Sequence, residues 1–453
     1  MSGKRNTVSI DMKISSSVEE KTAVKSKSTK TKNYNSSAIK KIKHSKHGRI
    51  PEGWKLLSIS KLGDVRAGAT PSTRVPAYWG GNIRWMNSGE LNLKYVYEVE
   101  GRITDLGLKN SSTSVIPKYS VLIGLAGQGR TRETCAINML ELCTNQSVAA
   151  IIPNDSVIFQ YLFYNLDSRY DELRRLSTGE GGRGGLNLSI INAVKVLVPP
   201  LPEQQKIARI LNTWDKAIEK TEQLIAQKQQ LKKGLMQQLL TGKVRFKEFV
   251  KSKKMKKTKR GMIPEEWEVR ELGDIGKVRM CKRIFNNETS DEGDIPFYKI
   301  GTFGKRADAF ISKELFNEYR RKFSFPRKGE ILISAAGTLG RTVVYDGRPS
   351  YFQDSNIVWI DNDESNVTNR YLYFAYQIIK YRSEGGTIQR LYNDIIKKAT
   401  FLLPSGEEQE RIVDLLSSSY KEINALEDRL LKFKLQKKGL MQKLLSGEVR
   451  VKL

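Results

Sequence analysis

One stretch of this chain occurs twice, and the repeat constrains everything else. Leu201–Phe246, LPEQQKIARILNTWDKAIEKTEQLIAQKQQLKKGLMQQLLTGKVRF, returns 205 positions later as Gly406–Val451. Agreement is closest in the tails, KKGLMQQLLTGKVR at Lys232–Arg245 and KKGLMQKLLSGEVR at Lys437–Arg450. A period this long is no solenoid; it marks two copies of a whole domain-plus-helix unit. Ile207, Leu211, Trp214, Ile218, Thr221, Ile225, Lys228, Lys232, Leu235 and Leu239 follow one another in steps of four and three. The second copy keeps the register with Ile412, Leu416, Ser419, Ile423, Leu426, Leu430, Phe433, Lys437, Leu440 and Leu444. That spacing predicts two coiled-coil helices, each a rod of about 50 Å, with Pro202 or Pro404 ahead and Gly242 or Gly447 behind. Aligned antiparallel by their midpoints, the rods set Leu211 against Leu440, Ile218 against Phe433, Ile225 against Leu426 and Leu235 against Leu416. The same register sets Lys228 against Ile423 and Lys437 against Trp214.

Shorter echoes run through the rest of the chain. Ile50-Pro51-Glu52-Gly53-Trp54 is answered by Ile263-Pro264-Glu265-Glu266-Trp267, and Leu62-Gly63-Asp64 by Leu272-Gly273-Asp274. VLIGLAGQGRT at Val121–Thr131 matches ILISAAGTLGRT at Ile331–Thr342, and KVLVP at 195–199 matches TFLLP at 400–404. The expected organisation is a disordered basic tail over 1–48, a mixed domain over 49–200 and its rod over 201–246. A basic linker (247–261), a second domain (262–404) and the second rod (405–453) follow. The fold class is α+β: two repeated mixed α/β domains, each followed by a long helix, the helices pairing as an antiparallel coiled coil.

The net charge of +29 points to a polyanion such as nucleic acid, although the segments 1–49 and 247–260 carry 17 of those charges. Three cysteines without a disulfide framework, no apolar run of membrane length and no signal-like N-terminus suggest a cytoplasmic protein.

The Ile-Pro-x-x-Trp openings, the Pro and Glu-x-Gln at the rod starts and the Lys-Gly-Leu-Met-Gln-x-Leu-Leu-[Thr/Ser]-Gly ends together resemble the specificity subunit of type I restriction–modification systems. The resemblance covers roughly 49–453 and implies two target recognition domains, each reading half of a bipartite site in double-stranded DNA. It also implies that the paired rods set the gap between half-sites and dock two adenine-methylating subunits, with restriction subunits joining for cleavage. S-adenosylmethionine, ATP and magnesium would then belong to the partner subunits, with no cofactor in this chain. A stand-alone bipartite DNA-binding protein, repressor or decoy, is the alternative.

No catalytic motif is complete. Arg130 stands where a phosphate-binding loop needs lysine, and Gly179-Glu-Gly181-Gly-Arg-Gly184 does not follow a strand. The only Pro-Pro lacks the Asn/Asp and the aromatic of an amino-methyltransferase, both histidines lie in the tail, and the cysteines lack metal-ligand spacing. Catalytic and metal-binding residues are therefore not expected. Candidate DNA contacts lie between the shared anchors: Arg74, Arg84, Asn87, Gln128, Arg130, Arg132, Arg183 and Asn187 in the first domain. The second offers Lys282, Arg283, Lys299, Lys305, Arg306, Arg341 and Arg390. Arg130 and Arg341 follow the same glycine turn in both halves, and a shared residue cannot tell two half-sites apart; they are expected to clamp phosphates.

Overall fold

The computed structural model describes residues 43–45, 48–126, 131–178, 185–379, 381 and 390–453. Gln128, Arg130, Arg183 and most of the expected tail lie outside them. Contacts divide the described chain into two units, one running to Gln223 and adding Glu427–Leu453, the other spanning Leu224–Leu426. Both divisions fall inside the rods, which are single helices over Leu201–Leu239 and Gly406–Leu445.

In the first unit a five-stranded sheet runs Gly63–Ala67, Val148–Pro153, Val121–Gly124, Cys135–Asn138, Tyr95–Val96 in spatial order. Val121–Gly124 is buried at every position, as an unbroken apolar run in a covered central strand should be. The helix Phe159–Asp167 supplies Tyr161–Leu166 to the same core. A two-stranded pair, Lys55–Ser58 with Lys195–Val198, brings the two ends of the domain together at the start of its rod. The second unit repeats this plan: Gly276–Met280, Ile357–Asn362, Ile331–Ser334 and Thr342–Val344 form its main sheet. Glu268–Glu271 pairs with Thr400–Leu403, and Asn369–Ile378 is the buried helix.

Each core is completed by both rods. Ile207 and Leu211 from the start of the first rod join Met441, Leu444 and Leu445 from the end of the second in the first domain's core. Met236, Leu239 and Leu240 join Ile412, Val413 and Leu416 in the other. The rods therefore pair antiparallel. Leu211, Ile225 and Leu416 are buried, whereas Trp214, Ile218, Leu235, Leu426, Phe433 and Leu440 are half-buried. The two lysines expected to face apolar residues each find a carboxylate beside that residue. Lys437 is not left on Trp214: its Nζ donates to Asp215 Oδ1 at 2.6 Å, and the Trp214 ring meets Phe433, centroids 5.6 Å apart. Lys228 pairs with Glu422, the neighbour of Ile423, at 2.7 Å. An ammonium drawn out of water needs a counter-charge, and the carboxylates one position off the seam provide it.

The basic segment expected as a bare linker also carries structure. Met255–Thr258 pairs antiparallel with Gly261–Pro264, turning at Gly261 (φ +97°) with Thr258 Oγ1 donating to the Gly261 carbonyl at 2.9 Å. A hairpin of the same register, Lys43–Ser45 with Gly48–Ile50, runs from the expected tail across the boundary at 48 into the first domain.

Candidate nucleic-acid interface

Three repeated motifs meet at the base of each domain. In the first unit Trp54 Nε1 donates to Glu203 Oε2 (3.0 Å), and Arg450 grips the same carboxylate through Nε (2.6 Å) and Nη2 (2.7 Å). In the second, Trp267 Nε1 donates to Glu408 Oε2 and Arg245 grips Glu408 through Nε and Nη2, each at 2.9 Å. Glu203 and Glu408 are buried, so the bidentate arginine supplies the compensation their charge requires. The bond to Glu408 raises the Arg245 guanidinium above its ordinary range, and Glu203 does the same to Arg450. Gly242 (φ +67°) and Gly447 (φ +71°) turn the chain into these latches. A Cβ there would stand 2.7 Å from Pro264 and 2.3 Å from Pro51. Beside each glutamate, Gln204 or Gln409 bonds the backbone on both sides of its domain: Gln204 to Ile158, Ser156 and Pro199, Gln409 to Thr368, Asn366 and Pro404.

On this shared frame the candidate contact residues are arranged differently. In the second unit most of them join one connected surface. Arg283 pairs with Asp354 at 3.0 Å, and Arg390 Nη2 donates to Ser355 Oγ and Asn356 Oδ1, each at 3.0 Å. Arg390 also bridges Ala336 in the turn that carries Arg341. Arg341 Nη1 in turn donates to the Phe303 carbonyl (2.9 Å), in the turn that holds Lys299, Lys305 and Arg306. Lys299 is paired with exposed Asp308, Lys305 reaches the Gly301 carbonyl, and Arg306 is exposed. Lys282 is exposed and lies over the Phe323 ring, 5.3 Å from its centroid.

In the first unit the described candidates lie on separate elements. Arg74 is exposed in a turn, and Arg84 leans on Glu98 at 3.3 Å from the strand Trp79–Met86. Asn87 begins the next turn, its Oδ1 accepting from the Gly89 amide at 2.8 Å. Asn187 likewise caps the helix Leu188–Ala193, accepting from the Ile190 amide at 2.8 Å. Both asparagine carbonyls are thus engaged by backbone. Arg132, expected at the surface, is instead a brace: it pairs with the buried Glu133 at 2.9 Å and donates to Ser177 Oγ at 3.0 Å. Glu133 also takes Arg174 (3.2 Å) and the Ser177 hydroxyl (2.5 Å) and sits at φ +60°. It ties the glycine turn to the helix Tyr170–Thr178, and the Leu186 amide donates to the Leu125 carbonyl beside them. Sequence reading missed Glu133, the latch arginines and glutamates, and the Lys437–Asp215 pair. For the latches the signal existed, since Trp, Glu and Arg each recur in both halves.

The phosphate-loop likeness has a steric origin. A Cβ on Gly124 would lie 2.2 Å from the Thr131 carbonyl oxygen, so glycine is required by close chain packing. No group of three potential metal ligands occurs among the described residues, and none of their helices is long and apolar enough to cross a membrane.

With this geometry in hand, comparison with known proteins gives one answer. The sequence profile of the family described as "Type I restriction modification DNA specificity domain" matches residues 51–229 and again 264–432. A putative type I restriction enzyme specificity subunit of Haemophilus influenzae is 64% identical over 155 residues, 34% of this chain and 40% of that protein. A type I restriction enzyme specificity subunit of Methanocaldococcus jannaschii is 28% identical over 423 residues, 89% of this chain and 95% of the relative. The crystal structure of a type I restriction–modification S subunit from M. genitalium has a TM-score of 0.53 at 16% identity, covering 87% of this chain and 96% of that one. A chain from a structural study of type I complex assembly and conformational transition has a TM-score of 0.54 at 15% identity, covering 88% and 99%. These two likenesses show the fold.

Proposed function

The chain belongs to the type I restriction–modification DNA specificity family, whose domain it carries twice, and on that premise we propose that it is the non-catalytic, DNA-reading subunit of such a complex, acting in the cytoplasm. Each domain reads one half of a bipartite duplex site. The paired rods hold the two readers and dock two methyltransferase subunits, which flip and N6-methylate an adenine in each half-site. Restriction subunits join that assembly for cleavage. S-adenosylmethionine, ATP and magnesium serve those partners.

The observation that carries this reading is the contrast between the duplicated Trp–Glu–Arg latches and the dissimilar basic surfaces they support. One frame bearing two different surfaces suits a protein with two different targets. Within each surface, arginines and lysines supply phosphate contacts, and side chains unique to one half supply base readout. The test incubates the purified chain with S-adenosylmethionine and mixed-sequence DNA, with and without its methyltransferase subunits. Binding by the chain alone with methylation only in the complex is expected; methyl transfer by the isolated chain would refute the reading.

A further inference from the structure

The hairpins ahead of the two domains are near copies of each other. Lys253, Lys254, Lys256, Lys259, Gly261, Ile263 and Pro264 recur, 213 positions earlier, as Lys40, Lys41, Lys43, Lys46, Gly48, Ile50 and Pro51. Both segments pair in the same register, Lys256 opposite Ile263 and Lys43 opposite Ile50. Among the described residues each forms a two-stranded sheet.

The second copy shows how such a hairpin is held. Ile263 is buried in the domain core, and Pro264 lies against Gly242 at the rod end. Lys256 Nζ donates to the Glu265 carbonyl at 2.8 Å, which pins the inner face. The outer face and the approach to it expose Lys253, Lys254, Lys257 and Lys259. No acidic residue occurs between Lys251 and Pro264. Of the neighbouring carboxylates, Glu266 is engaged by Arg245 (2.8 Å) and the Ser252 amide and Glu248 by Arg411 (3.7 Å), while Glu265 is exposed. A ribbon anchored on one face thus presents a row of ammonium groups on the other.

We propose that these two hairpins are sequence-independent DNA contacts, each laying its lysines on backbone phosphates beside the half-site its domain reads. The inference rests on the DNA-reading assignment above and adds a second surface to it. The residues common to both copies are lysines and the hairpin's own framework. A contact shared by two readers of different sequence cannot discriminate bases, so it serves phosphates. Of the two exposed methionines only one has an apolar counterpart: Met262 is replaced by Arg49, whereas Met255 is answered by Ile42. An acidic protein surface docking here would need an apolar centre, whereas a polyanion needs only the charges.

The test uses the full complex with methyltransferase subunits and replaces three exposed lysines of the second hairpin, Lys253→Gln, Lys254→Gln and Lys259→Gln together, and in a second variant their sequence counterparts, Lys40→Gln, Lys41→Gln and Lys46→Gln. Affinity is measured on a duplex carrying the methylated site and on an unrelated duplex across a salt series. Each triple variant is expected to lower the slope of log affinity against log salt by roughly two to three. Binding should weaken by the same factor on both duplexes, with the methylated sequence unchanged. An unchanged slope overturns the proposal. So does unaltered DNA binding combined with loss of methyltransferase subunits on gel filtration, which would assign the hairpins to a protein partner. If the unmodified complex shows no preference between the duplexes, the DNA-specificity reading fails, while the slope comparison still decides the hairpins.

Discussion

The two halves agree where their domains are fastened and differ where the rods pass the buried helices. The latches match atom for atom in pattern, Trp54–Glu203–Arg450 against Trp267–Glu408–Arg245. About three turns further along the rods the same motif lysine meets two different chemistries. Lys437 makes an ion pair with Asp215, whose other oxygen accepts from the Tyr164 hydroxyl at 2.8 Å. Its counterpart Lys232 lies over the ring of Tyr420, 3.8 Å from the centroid, and the Tyr420 hydroxyl donates to Gln377 at 2.7 Å. Burial, with Asp215 adding to it, drives the Tyr164 hydroxyl well above the ordinary phenol range, and burial takes Tyr95 beside it to about 12. The first joint is a charged network and the second an aromatic stack. An identical lysine fits both because a carboxylate and a ring face each offer negative potential.

The largest expected effect breaks the part that is shared. Glu408→Ala leaves the buried Trp267 indole N–H without its acceptor and Arg245 with Glu266 and the Phe249 carbonyl alone, and should cost on the order of 3 kcal/mol. Glu203→Ala should cost less, because Arg450 keeps 43% of its side chain in solvent against 8% for Arg245. Urea titration of the two variants orders them. Equal losses would mean that the difference in burial has no energetic consequence.

The joints should respond less, and unequally. Lys437→Met leaves the mostly enclosed Asp215 with the Tyr164 hydroxyl and the more distant Lys94, at 3.9 Å, and a loss of about 2 kcal/mol is expected. Lys232→Met removes a cation–π contact of about 1 kcal/mol while its methylenes are replaced in kind. Thermal unfolding of both variants measures the gap, and Lys437→Met made in an Asp215→Leu background should recover most of its loss.

The repeat, the rods and their antiparallel pairing were legible because period, apolar spacing and midpoint alignment are all local or self-referential in sequence. The fate of Lys228 and Lys437 was not, since Glu422 and Asp215 lie off the apolar seam and only the folded register brings them near. The hairpins escaped for another reason: high lysine content resembles a solvated linker, and the signal was the echo between the two copies rather than the composition of either. In the candidate interface, arginines could be enumerated but not sorted. Arg132 reads like Arg74 in sequence. Only the left-handed Glu133 beside it, bound across to Ser177 and Arg174, makes Arg132 part of the core's wall. Asn87 and Asn187 were chosen for their base-reading amides, and local backbone amides took their carbonyls first.

The finest comparison between the joints is their response to pH. Asp167, at the end of the buried helix in the first half, aligns with the neutral Gln377 in the second. Burial pushes the Asp167 carboxyl above its ordinary range, Lys94 and Lys437 pull it back and Asp215 pushes it further. A carboxyl whose folded value exceeds its unfolded value holds its proton more tightly in the native state, so it costs nothing below the unfolded value of about 4. Stability is then lost as pH rises through the folded value, where ionisation must occur in a poorly solvated site. Asp167→Asn copies the neutrality of Gln377 and removes that dependence. The variant should therefore be more resistant to urea than the parent at pH 8, with the advantage shrinking towards zero near pH 4. Gln377→Glu in the other half places its carboxyl at an exposed position and should change the pH dependence little. An Asp167→Asn gain that is the same at both pH values would assign the effect to packing, and a loss at pH 8 would mean that Lys94 and Lys437 outweigh burial at this joint.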